Sequence, residues 1–265
     1  MLRPRIIPSL LVHNGGLVKT TQFGQPKYVG DPINAVRIFN EKEVDELIVA
    51  DIDASRNNRE PDYALIRNLA AECRMPLCYA GGVRTAEQIE RIVGLGVEKV
   101  AVGAAAAETP EIVGRAAERV GSQSIVVVLD VKRTGLMRRH EVMTHNATKG
   151  SGRNPVELAR AAEAAGAGEI LLNSVDRDGT MKGYDLDLID QVRKAVNLPM
   201  TVLGGAGSLA DISALIARHG IIGAAAGSLF VFKGKYRAVL INYPSRSEKD
   251  ALFIAARAGD PNAAR

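Results

Sequence analysis

Short apolar runs rich in Val, Ile and Leu alternate along the chain with longer amphipathic stretches, the pattern of parallel strands covered on both faces by helices. The runs that read as strands are 5–12, 46–52, 76–80, 98–103, 124–131, 168–174, 199–203 and 221–226. Between them, helices are expected over 32–42, 61–73, 85–95, 109–120, 154–165, 185–196 and 208–218. Asp31, Thr85, Thr109, Asn154 and Ser208 read as N-caps, with Pro32, Pro110 and Pro155 at the first helical position. Two long, polar, Gly-rich stretches, 13–31 and 133–153, are expected to be loops at one mouth of the fold. Eight strand runs in this alternation predict an α/β architecture, a closed (βα)8 TIM barrel.

An internal repeat supports the closure. Segment 76–106 matches segment 199–229 in pattern and spacing, so that Gly82 pairs with Gly205 at a shift of 123 residues. The same shift takes Glu46-Leu47-Ile48 to Glu169-Ile170-Leu171 and Asp53 to Asp176. A single domain over 1–265 is therefore expected, built from half-barrels at about 1–121 and 122–240 with a tail over about 241–265. Gly81-Gly82 and Gly204-Gly205 each follow a strand and precede a helix, where bare backbone N–H groups can approach an anion. Gly103-Ala104-Ala105 and Gly227-Ser228 end the following strand in each half, which makes two phosphate sites the expectation. Tight strand-to-helix turns alone are the plainer reading of any one such pair.

Composition narrows the function classes. The 265 residues are 46% hydrophobic, and 34 Lys and Arg against 30 Asp and Glu leave a formal charge of +4. No basic block of the kind that binds nucleic acid is present, so an enzyme with anionic substrates fits better. Cys73 and Cys78 flank a Met-Pro step without companion ligands, so neither a zinc site nor a disulfide framework is expected. His13, His140, His145 and His219 share no spacing and read as solvated loop or surface side chains, leaving no metal or cofactor expected. The apolar run after Met1-Leu2-Arg3-Pro4-Arg5 soon meets His13-Asn14-Gly15, too short for a signal or a membrane span. A cytoplasmic location is expected.

Seven stretches carry a resemblance: Arg5-Ile6-Ile7-Pro8, Asp51-Ile52-Asp53-Ala54-Ser55, Ala80-Gly81-Gly82-Val83-Arg84, Gly121-Ser122-Gln123, Asp130-Val131-Lys132-Arg133, Gly166-Ala167-Gly168-Glu169-Ile170-Leu171-Leu172 and Asp176-Arg177-Asp178-Gly179-Thr180. In order, from the first strand to Phe230, they resemble the cyclase subunit of imidazole glycerol phosphate synthase. The resemblance implies a glutaminase partner docked as a heterodimer on one barrel mouth and ammonia crossing the barrel interior. It implies a substrate with two phosphates at the opposite mouth. It also implies a charged ring on the glutaminase side, here Arg5, Glu46, Lys99 and Glu169, as an ammonia gate. An ordinary stabilising layer is the plainer reading of those four residues.

Of the two carboxylates that such cyclases use for acid and base work, the one on the fifth strand is matched by Asp130. Leu11 stands at the first, and a leucine transfers no proton. Asp51, at a strand end, is a second candidate for catalysis or substrate binding. Lys19 matches a mobile lysine of the first loop, suited to closing over an anion. Candidate substrate and phosphate contacts are therefore Lys19, Gly82, Gly103, Ala104, Asn173, Asp178, Gly179, Gly205, Gly227 and Ser228. Gly103 and Asn173 stand where the resembled family usually has Asn and Thr. These departures, with the charged ring kept, favour a divergent copy of the kind that serves surface-polysaccharide pathways, passing ammonia to acetamidino-sugar synthesis. True cyclase activity in histidine synthesis is the alternative, and a catalytically silent ammonia conduit a third.

Overall fold

The computed structural model describes residues 3–258. Eight parallel strands close into a barrel: β1 (Arg5–His13), β2 (Leu47–Asp51), β3 (Leu77–Ala80), β4 (Lys99–Val102), β5 (Ile125–Thr134), β6 (Glu169–Ser174), β7 (Met200–Leu203) and β8 (Gly223–Ala226). Each strand pairs with the next, and β8 returns to β1 in the register Arg5↔Gly223 to Pro8↔Ala226. Closure removes the free edges an open sheet would leave, and it makes the fold a single (βα)8 barrel, as the alternation of apolar runs predicts.

Two apolar regions hold the barrel together. Between strands and outer helices, Phe39, Leu69, Ile89, Ile92, Leu215 and Phe230 are essentially fully buried. Inside the barrel, Ile7, Ile48, Cys78, Ala101, Val126, Leu171 and Ala225 form a separate layer across the axis. Helix boundaries follow the caps: the side chains of Asp31, Thr85, Asn154 and Ser208 each accept a backbone N–H of the first turn, with a full capping box at Thr85 and at Ser208. Thr109 does not cap. A short helix, Ala104–Glu108, precedes it, and the next helix begins only at Glu111.

Three stretches differ from the sequence-based expectation. The first expected loop contains the strands Gly16–Lys19 and Lys27–Gly30, and the Gly16–Lys19 strand folds back antiparallel on β1. Its turn is Asn14-Gly15, both with positive φ (48° and 77°), the dipeptide that a two-residue hairpin demands. The second expected loop is likewise a hairpin: β5 runs on to Thr134 and pairs with Arg139–Thr144. Polar and Gly-rich composition disguised both as loops. The stretch expected to be a tail contains the helix Arg246–Ala258, which packs on the helix Leu209–His219. It is tied to the barrel by Lys249, whose Nζ lies 2.7 Å from the Asp45 carboxylate, and Tyr243 just before it donates to the Ile6 carbonyl at 2.8 Å.

Candidate functional site

Strand direction separates the barrel into two chemically distinct ends. At the N-terminal end of the strands, Arg5, Glu46, Lys99 and Glu169 meet as a closed ring. Arg5 donates to both Glu46 and Glu169, the second at 2.6 Å. Lys99 donates to the same two carboxylates at 2.9 and 2.8 Å, and the Thr201 hydroxyl donates to Glu169 at 2.5 Å. Burial penalises the Glu169 anion, yet Arg5 and Lys99 outweigh it and hold the carboxyl below its ordinary range. Above the ring lies the apolar inner layer, where burial pushes the Cys78 thiol well up and keeps it neutral.

At the C-terminal end the barrel opens into a cavity. Asp130 and Asn173 sit side by side in register on β5 and β6, and the Asn173 side-chain NH2 donates to the Asp130 carboxylate at 2.8 Å. Burial, with a smaller push from Asp178 and against the Asn173 hydrogen bond, raises the Asp130 carboxyl to about 6. Asp51 lines the same cavity with one carboxylate oxygen accepting the N–H groups of Asp53 and Ala54, at 2.9 and 3.1 Å. Burial raises it too, and those two hydrogen bonds oppose the shift.

Lys19 is not on a mobile loop. It ends the Gly16–Lys19 strand, is 5% exposed, and donates to the Ser9 carbonyl. Burial lowers its ammonium to about 8, opposed by Asp178. Asp178 accepts the Thr20 hydroxyl at 3.0 Å, which draws the Asp178-Gly179 turn over the hairpin. A Cβ at Gly227 would stand 2.7 Å from the Lys19 Nζ, so only glycine leaves that amine its place.

The residues expected to touch substrate or phosphate gather here with one exception. Gly103, Ala104, Gly179, Gly205, Gly227 and Ser228 all line the cavity. Gly82 does not: its N–H donates to the Ser55 hydroxyl at 3.2 Å, and the Arg59 carbonyl and Ala54 methyl fill the space beside it. Its neighbour Gly81 faces the cavity instead. Leu11 lines the cavity from β1.

All four histidines are more than solvated side chains: Arg133 Nε donates to His140 Nε2 at 3.1 Å, and the His219 side chain is only 6% exposed, beside Asp190. His13 bonds Asp53 through Nδ1 at 2.9 Å; burial would raise the Asp53 carboxyl, but the Asn14 N–H and His13 lower it. His145 lines the cavity next to Thr144 and Asn146. Nothing in the spacing signals the roles of His13 and His145, because both depend on hairpin register. Among the described residues no three His, Cys, Asp or Glu side chains converge as a metal site, and no helix is long and apolar enough to cross a membrane.

Comparison with known proteins bears on this arrangement. The family model "Histidine biosynthesis protein" matches residues 5–237. A protein of Leptospira interrogans provisionally named imidazole glycerol phosphate synthase subunit HisF is 58% identical over 96% of this chain and 100% of its own length. One of Pseudomonas aeruginosa, provisionally named subunit hisF2, is 53% identical over 94% of this chain and 99% of its own. The imidazole glycerol phosphate synthase subunit HisF of Streptomyces coelicolor is 42% identical over 87% and 91%. With the closed barrel and a family match spanning all eight of its strands, the chain belongs to the histidine biosynthesis protein family, among the HisF-type cyclase subunits of imidazole glycerol phosphate synthase.

Proposed function

We propose that this chain receives ammonia from a glutaminase bound as a heterodimer at the ring end of the barrel. It uses that ammonia on a phosphorylated small molecule in the opposite cavity, as a divergent paralogue serving acetamidino-sugar synthesis for surface polysaccharide in the cytoplasm. Leu11 carries this reading. It stands on β1 where Asp130 stands on β5, so the cavity has one of the two carboxylates that cyclase chemistry uses. The numbered names hisF2 and hisF3 among the relatives fit additional copies beside a histidine enzyme.

Asp130 and Asp51 are the proposed proton-transfer groups. Lys19, Gly103, Ala104, Asn173, Asp178, Gly179, Gly205, Gly227 and Ser228 would hold the substrate. Gly82 acts through the shape of its turn. The ring of Arg5, Glu46, Lys99 and Glu169 would admit ammonia, a small neutral molecule that crosses an apolar layer without the desolvation cost of an ion. Retention of Asp130 in the cavity that Lys19 also lines favours a working site over a silent conduit. The runner-up, cyclisation in histidine synthesis, draws on the 42% identity to the Streptomyces coelicolor subunit.

Affinity purification of the tagged chain from its own cells tests the partnership. A glutaminase should co-purify, and the complex should turn glutamine into ammonia faster than the isolated partner. Recovery of the chain free of every glutaminase in those cells would refute it.

A further inference from the structure

The two long barrel strands are each extended by a hairpin, and the return strands enter the cavity at equivalent depth. On β1, Leu11 pairs with Val18, and the next residue is Lys19. On β5, Asp130 pairs with Met143, and the next residues are Thr144 and His145. The first return strand ends on Lys19 and the second on Thr144, with His145 the first residue of the turn beyond it, and all three line the cavity.

Lys19 and His145 serve different halves. Lys19 lies against Gly227, beside Ser228. His145 lies beside the helix Ala104–Glu108: its Nδ1 is 3.8 Å from the Glu108 carboxylate and 3.1 Å from the Thr144 hydroxyl. Glu108 is one turn on from Ala104, on the same helix face, so the ring stands near the Gly103-Ala104 turn, which lines the cavity with it. Lys149 also binds Glu108, at 2.9 Å. The His145 ring remains about one-third exposed and reachable from the cavity.

We propose that His145 is the hydrogen-bonding side-chain ligand for the phosphate at the Gly103-Ala104 end of the cavity, the counterpart of Lys19 at the Gly227-Ser228 end. The proposal rests on the reading that the cavity takes a substrate with two anionic ends. Glu108 orients the imidazole, whose ring N–H donates a charge-assisted hydrogen bond to a phosphate oxygen. Nature's choice of imidazole over ammonium at one end makes the two ends unequal, so an asymmetric substrate binds one way round.

Inorganic phosphate is the probe, titrated into the 15N-labelled full chain near pH 6 with backbone amides and the His145 ring nitrogens observed. Two groups of amides should move: Gly103 with Ala104, and Gly205 with Gly227. His145→Gln should weaken binding seen at the first group by about tenfold or more and leave the second within twofold. His145→Lys should restore the first, and Lys19→Met should weaken the second alone. An unchanged first-group affinity in His145→Gln overturns the proposal. Movement of the Gly205 and Gly227 group alone overturns it while leaving the two-ended cavity reading open to other ligands. No movement of either group sinks both.

Discussion

Leu11 and Asp130 occupy the same place in the two halves of the barrel: each is the innermost residue of its strand to pair with an antiparallel return strand, Leu11 with Val18 and Asp130 with Met143. Both line the cavity. One place thus holds an acid and the other an alkyl group, so any chemistry that needs two opposed carboxylates has lost one of them.

The elevated Asp130 carboxyl makes a stability prediction. Its pKa is about 6 in the fold and near 3.9 in the unfolded chain. The native state therefore holds this proton more tightly, and ionising Asp130 costs stability as pH rises from about 4 to 6. Asp130→Asn removes that cost. The melting temperature of the variant relative to the native chain should climb between pH 4 and 6.5 and then level off, bounded by about 1.4 kcal/mol per pKa unit. A difference independent of pH would contradict the burial of this charge.

Glu169 predicts the opposite slope. Its folded pKa is depressed by Arg5 and Lys99, so its contribution is fully present above the unfolded value near 4.3 and is lost as pH falls through the lower folded value. Glu169→Gln should cost about 1–3 kcal/mol at pH 7 by urea denaturation, since Arg5 and Lys99 keep Glu46. The cost should shrink below pH 4. Full retention of stability at pH 7 would mean that the ring is not holding the barrel end.

Glycines at two positions should respond in opposite directions. At Gly205, with φ 110°, a Cβ would overlap the Gly183 carbonyl oxygen, so Gly205→Ala should destabilise by about 1–3 kcal/mol or more and disturb the cavity it lines. Gly94 lies at the end of a helix with nothing within 4 Å of a Cβ, so Gly94→Ala should stabilise by about 0.5–1 kcal/mol. Thermal melts of both variants check the contrast. Equal effects would show that the turn at Gly205 can relax.

The barrel was legible in the sequence because its signals are local: eight buried runs, side-chain caps such as Thr85 and Ser208, and a repeat that sets Glu46 against Glu169. The glycine turns at Gly205 and Gly227 followed from those strand positions, whereas the ring and Lys19, Asp130 and Asn173 came from the resemblance to the cyclase family. What escaped depends on register between distant residues. Asn14-Gly15 is a hairpin turn, but it sits among polar residues that resemble a loop, so Lys19 looked mobile when its strand buries it. His145 becomes a cavity residue only because Asp130 pairs with Met143. Gly82 matched its repeat partner Gly205 in sequence, yet the Ser55 hydroxyl and the Arg59 carbonyl take up its surroundings, and no repeat reveals that difference.

Turnover decides whether this barrel is a divergent copy lacking one cyclase carboxylate. The purified chain would be given the bisphosphate ribulosyl intermediate and a high concentration of ammonium, and imidazole glycerol phosphate would be measured beside a Leu11→Asp variant. A missing proton-transfer group typically costs about 10²–10⁴-fold in rate. Native turnover should be slower than that of an ordinary enzyme by that order, with a gain in Leu11→Asp limited by Gly103 and Asn173. Native turnover at an ordinary enzymatic rate, about 1 per second or faster, would contradict that divergence and make histidine synthesis the function.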